Sequence, residues 1–282
     1  MNTHSVRLEV CVEDVAGVRE SARLGADRAE LCDNLAVGGT TPSIGAIESA
    51  LLAATEQMEA RREAVGPSWI HTDLARPFEL IVMIRPRGGN FVYDSDESRA
   101  MIADARRIAR LAQDMGAVPD AATTSPGGST PVTPAVTVGF ATGALHDDGR
   151  IDRGLITRLV EASGASPLTF HKAIDASADP LKAYEVLHSL GVARVLSSGA
   201  AHDAAKGSPL LAAMVATGGP DVVAAGHVRP ENVEALVEVT GVCDVHMRCP
   251  VVESGVGPMR TDPVLVEKAV SLVHALSCVS EH

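Results

Sequence analysis

Two short segments of the chain carry one pattern, Leu8-Glu9-Val10-Cys11 and Ala29-Glu30-Leu31-Cys32. In each, a carboxylate and a thiol stand two residues apart between apolar neighbours. Thiols in such a setting can take a soft metal ion or pack as small hydrophobes. Glu9 or Glu30 could serve as a general base, with His171 as a proton shuttle. Arg85 and Arg87 lie in the run Arg85-Pro86-Arg87-Gly88-Gly89. Guanidinium groups fork onto oxyanions, and paired glycines let the backbone approach a ligand closely.

These residues need elements that bring them together, and the hydrophobic pattern supplies them. Strand-like runs are predicted at Arg7 to Cys11, Arg28 to Cys32, Glu79 to Arg85, Ala135 to Phe140, Leu168 to His171, Arg194 to Ser197, Asp221 to Ala225 and Asp244 to Met247. Helices are predicted between and after them, at Val15 to Leu24, Ser43 to Arg61, Asp94 to Met115, Asp152 to Ser163, Asp179 to Leu190, Ala204 to Thr217, Arg229 to Thr240 and Asp262 to Leu276. Strict alternation implies a parallel sheet, and eight strands close a barrel around packed side chains. The expected fold class is therefore α/β, a single (β/α)8 TIM barrel spanning residues 1–282.

Alternation along each strand then selects the inward residues. Glu9 and Cys11 share a face, as do Glu30 and Cys32, and Arg85 lies opposite Val82 and Ile84. His171 is in phase with Thr169, and His246 with Asp244. Two carboxylates, an arginine and two histidines thus converge on the barrel axis. They could fill it as a charge network, or form a pocket at the carboxyl ends of the strands, where such barrels keep their chemistry.

Two stretches interrupt the rhythm. Residues 118–134 are rich in Pro, Gly, Ser and Thr and are expected to be disordered. A milder insertion near 59–77 holds the only tryptophan, Trp69. Both connect a helix to the next strand and so belong to the amino-terminal face.

Composition excludes several partners. A net charge of −12 argues against nucleic acid and anionic membranes, which attract basic faces. No apolar run is long enough to span a bilayer. Met1 to Arg7 show no secretory pattern, so a cytoplasmic location is expected. Five cysteines without a CxxC spacing speak against a disulfide framework or a tetrathiolate zinc site. Cys243, Cys249 and Cys278 are expected to share no site.

Longer runs add a family likeness. Gly25 to Ser43 (GADRAELCDNLAVGGTTPS), Met83 to Glu97 (MIRPRGGNFVYDSDE) and Leu168 to Asp175 (LTFHKAID) closely resemble the CutC family, with weaker matches at Gly191 to Gly199 and Val228 to Val233. The resemblance implies a cytoplasmic, homo-oligomeric (dimeric or tetrameric) TIM barrel concerned with copper homeostasis. It implies Cu(I) ligation by Cys11 and Cys32, soft thiolates that two neighbouring strand ends would offer for near-linear coordination. The chain departs from the family at Ala225, His227 and Met247-Arg248, where the family keeps glycine or small residues and Arg248 offers charge instead. Two functions follow as expectations. One is a copper-binding protein. The alternative is an enzyme acting on a small anionic, possibly phosphorylated metabolite. Its catalytic set would be Glu9, Glu30, Arg85, His171 and Asp175, and its ligand contacts Arg87, Gly88, Gly89, Ser198, Gly199 and His246.

Overall fold

A computed structural model describes residues 2–119, 133–251 and 260–280. A first strand, β1 (Asn2–Ser5), lies apart from the rest. Eight strands then form the barrel: β2 (Arg7–Val12), β3 (Arg28–Leu31), β4 (Phe78–Met83), β5 (Val136–Thr142), β6 (Leu168–Phe170), β7 (Arg194–Ser197), β8 (Asp221–Ala224) and β9 (Asp244–Arg248). They pair in parallel in chain order, and β9 closes onto β2 with Glu9 opposite His246. The helices between them are α1 (Val15–Leu24), α2 (Ile44–Val65), α3 (Ser95–Asp114), α4 (Arg153–Ser163), α5 (Pro180–Ser189), α6 (Ser208–Thr217), α7 (Val233–Thr240) and, after β9, α8 (Pro263–Ala275). The eightfold alternation read from the sequence is the observed (β/α)8 TIM barrel.

Local chemistry sets the helix ends. Asp179 and Asp262 cap α5 and α8 just before a proline at the first helical position, accepting from Lys182 N and Val264 N. Asp94 and Glu97 form a reciprocal capping box on α3. Two helices begin four residues later than predicted. Before α6, Asp203 accepts from Lys206 N. Before α7, Asn232 bonds both Arg229 N and the His227 carbonyl. Those side chains hold turns where the hydrophobic pattern alone suggested helix.

Strand parity behaves as expected. Leu8, Val10, Ala29, Leu31, Leu80, Val82 and Val138 belong to the main core between strands and helices. Cys11, Cys32, Ile81, Met83 and Ala141 form a separate small cluster inside the barrel. Leu196, Val223 and Ala225 form another.

Nearer the amino-terminal face the interior is charged. Arg28 donates to Glu9 at 2.8 Å and to Asp244 at 2.5 Å, with all three side chains fully buried. Arg7 meets Asp244 at 2.8 Å and Asp221 at 3.1 Å. Arg194 forks onto Glu79 at 2.5 and 2.7 Å and reaches Thr169 at 3.1 Å. Gly139 makes room for that fork, since a Cβ there would stand 2.5 Å from Glu79 Oε1. Glu9 thus belongs to a charged floor as well as to the pocket above it. Arg28, Glu79 and Arg194 escaped the sequence reading, although the alternation that selected Glu30 also selects Arg28.

The chain ends add what the alternation omits. β1 pairs antiparallel with β10 (Ser277–Ser280) as a two-stranded sheet outside the barrel. This arrangement brings Cys243 against Cys278 in a disulfide, correcting the expectation that these cysteines share nothing. They lie 35 residues apart with a whole helix between them, so no spacing rule could show the pairing. Near 59–77, α2 continues to Val65 and passes into 3-10 turns at Gly66–His71 and Asp73–Ala75. Arg62 stacks over Trp69 and holds the Leu74 carbonyl. Most of 118–134 lies outside the described residues.

Two measurements test this architecture. Arg28→Met should lower unfolding free energy by about 3–5 kcal/mol in a urea titration, because two buried carboxylates lose their shared cation. Adding Glu9→Gln should recover part of that loss. Gly207→Ala should cost roughly 3 kcal/mol by the same measurement. Its Cβ would stand 1.9 Å from the Ser198 carbonyl oxygen and 2.7 Å from Gly199 Cα, and backbone cannot swing aside.

Candidate functional site

At the carboxyl ends of β2 and β3, the Cys11 and Cys32 sulfurs and a Glu30 carboxylate oxygen lie within 4.8 Å of one another. Parallel register puts Cys11 beside Glu30, and Cys32 follows immediately after β3. Cys32 Sγ is 3.5 Å from Glu30 Oε2. Both thiols are buried, Cys32 at 1 % and Cys11 at 8 % exposure, so Cys11 is the more accessible. Met83 and Ile81 form the apolar side, which places a thioether in the same cluster that the sequence reading did not single out.

His246 completes the group from β9. Its Nδ1 lies 2.8 Å from Glu9 Oε1 and its Nε2 4.0 Å from Glu30 Oε2. Burial alone would raise the Glu9 carboxyl, but the His246 bond and the Arg28 charge outweigh it and hold Glu9 at about 2. Burial works against a charged His246, yet its bonds to Cys11 and Glu9 keep it well above the usual imidazole range. The Cys32 bond, and after it the His246 contact, hold the Cys11 thiol well below its ordinary value despite burial. Cys32 is pushed well up by that same bond and by burial. Burial raises Glu30 to about 8. The shifts on Cys11 and His246 both favour charge separation between thiol and imidazole, and the thiolate form is the one that ligates a soft cation.

Arg85 lies two residues past the end of β4, and its guanidinium turns into the loops. Its Nη1 donates to the Val37 and Gly39 carbonyls, both at 3.0 Å, and its Nη2 to the Gly89 carbonyl at 2.8 Å. It staples the two glycine-rich loops together. Gly39, at φ 89°, packs on Cys32, since a Cβ there would meet the sulfur at 3.1 Å. Arg87 is engaged by Glu97 at 2.5 and 3.2 Å and by the Val92 carbonyl at 2.8 Å. Gly88 rests against Val37. His171 directly follows β6, buried beside Phe91 with ring centroids 5.1 Å apart. It is not part of the thiol cluster.

Asp175 fills a place of its own. Its carboxylate accepts from Ser197 Oγ at 2.5 Å, Ser198 N at 3.0 Å, Ser198 Oγ at 2.8 Å and Ala200 N at 3.0 Å. Gly199 N donates to Ser197 Oγ. The amides after β7, where Ser198 and Gly199 were expected to meet a ligand, thus hold the chain's own carboxylate. Arg248 pairs with Glu13 at 3.3 Å. His227 keeps a left-handed turn at φ 54° without glycine, stacked on His202. An open cleft of about 880 Å³ occupies the opposite face, walled by Arg7, Tyr184, Asp221 and Asp244 among others. Its charges are mutually paired, so it is the underside of the floor and lies apart from the thiols.

The CutC family profile matches residues 6–124 and 130–250. A CutC family protein of Klebsiella pneumoniae is 35% identical over 240 residues, covering 85% of this chain and 78% of its own length. The human copper homeostasis protein cutC homolog is 34% identical over 241 residues, covering 85% and 71%. The crystal structure of a copper homeostasis protein CutC from Streptococcus agalactiae is similar with a TM-score of 0.63 and 30% identity, over 86% of this chain and 97% of that one. Thiamine phosphate pyrophosphorylase from Pyrococcus furiosus, 12% identical over 96% of each chain with a TM-score of 0.53, shares the fold alone. With its profile running from β2 to the end of β9 and such relatives matched along most of their length, the chain belongs to the CutC family.

Proposed function

We propose that this protein binds monovalent copper as cargo through Cys11 and Cys32, in the service of copper homeostasis. The observation that carries this reading is the meeting of two buried thiols and the Glu30 carboxyl, their ligand atoms mutually within 4.8 Å at the open end of the barrel. The donor set suits the ion, because thiolates and thioethers favour Cu(I) over harder cations. Cys11 is the first ligand, already inclined to the thiolate by Cys32 and His246. Cys32 is the second and gives up its proton on binding. Glu30 stands by as an outer carboxyl, and Glu9 orients His246 from below. Relatives named for copper homeostasis support the assignment. The resemblance adds a cytoplasmic, homo-oligomeric protein whose whole chain acts as one domain.

The test is Cu(I) affinity by competition with a bicinchoninate chelator under reducing conditions. Cys11→Ser with Cys32→Ser should abolish binding, while Glu30→Gln should weaken it about tenfold, as expected for an outer-shell carboxyl. Unchanged affinity in the double variant would overturn the ligand assignment.

A further inference from the structure

Three buried polar side-chain atoms among the described residues have no hydrogen-bond partner: Arg85 Nε, Tyr93 Oη and His171 Nε2. Arg85 and His171 gather around Phe91. The Arg85 guanidinium stands 5.0 Å from the Phe91 ring centre, and the His171 ring 5.1 Å from it. Tyr93 follows two residues later, and the Arg85 charge acts on its phenol and on the His171 imidazole alike. Arg85 and His171 are 4 and 5 % exposed, so neither side chain is open to bulk water. Buried polar groups are nearly always paired, and three unpaired ones in one corner call for a ligand.

Geometry fixes what kind. His171 Nδ1 accepts from Ala173 N at 3.2 Å, so the ring proton sits on Nε2. Burial, with Arg85 second, pushes the imidazole down to about 3, so it stays neutral and donates through Nε2 alone. Arg85 Nε can only donate, and the Tyr93 hydroxyl is free to do so. Arg85 and His171 have only protons to offer here, and Tyr93, whose oxygen is in reach of the Arg85 guanidinium, still has its own proton to give. That is the complement of an oxyanion.

The rival place for an anion, the amides after β7, is filled by Asp175. The roof of the Arg85 corner is the Arg87–Phe91 turn, where Gly89 is exposed and takes φ 88°.

We propose that Arg85, Tyr93 and His171 form a subsite for one oxyanion group, carboxylate or phosphoryl, of a small ligand. It uses none of the thiols and stands whether or not copper binds.

The full chain, kept free of copper, is titrated with inorganic phosphate, with acetate and with chloride at matched ionic strength. Long-range histidine nitrogen NMR follows the His171 ring, its signal assigned by loss in His171→Asn. The expected result is a saturable shift with phosphate or with acetate, the one that acts identifying the group, and none with chloride. Tyr93→Phe should raise the midpoint about tenfold by removing one donor to a charged group. His171 signals unmoved by both oxyanions would mean a buried water only and would overturn the subsite, as would an identical titration in Tyr93→Phe. If that variant does not fold, the titration of the unaltered chain decides alone.

Discussion

Glu9 is the joint on which the site depends. One carboxylate oxygen takes the Arg28 guanidinium and the other the His246 imidazole, both at 2.8 Å, and Glu9 itself is fully buried. An ionised carboxylate in such a place survives only when each lone-pair direction has a donor, because desolvation would otherwise neutralise it. Arg28 in turn needs Asp244, and Asp244 needs Arg7. The floor is therefore a chain of mutually required charges. Its last member, His246, projects into the thiol layer. The state of Cys11 is set in part by a network that reaches down to the amino-terminal rim.

The walls of the site rest on a second constraint, the close approach of backbone at a few glycines. Gly39 lets its loop lie on Cys32, and Gly207 lets the start of α6 press against Ser198 and Gly199. Arg85 then joins two glycine-rich loops into one wall by donating to a carbonyl in each. A lysine could not do this, since the task needs forked donors with fixed spacing. The same guanidinium keeps one donor unengaged. Its stapling role and the proposed oxyanion contact would thus use different nitrogens.

What could be read from the sequence follows from which forces are local. Alternation and length set the eight strands and helices, and strand parity alone turns Glu9, Cys11, Glu30, Cys32 and His246 into the barrel. Arg85 was placed near the pocket, but its partners are loop carbonyls, and no periodicity encodes where a carbonyl will point. Asp175 was read as a pocket residue for its family motif, yet its chemistry depends on amides more than twenty residues away. β1, β10 and the Cys243–Cys278 bridge were invisible for a related reason. They depend on the two ends of the chain meeting, which only the closed barrel brings about.

Arg85 also ties the two corners of the barrel mouth together. Its Nη1 holds the Gly39 carbonyl, and Gly39 lies on Cys32. An oxyanion on Arg85 Nε would draw the guanidinium toward Phe91 and load the same planar group that holds this loop. Packed interiors transmit small displacements because they have no slack to absorb them. Arg85 thus touches both the loop that lies on Cys32 and the Phe91 corner where His171 stands. In this barrel the amides after β7 are filled by its own Asp175, while the unpartnered Arg85 and His171 nitrogens stand elsewhere at the mouth. That distinguishes this mouth from that of a barrel which grips phosphate with the backbone of its last strands.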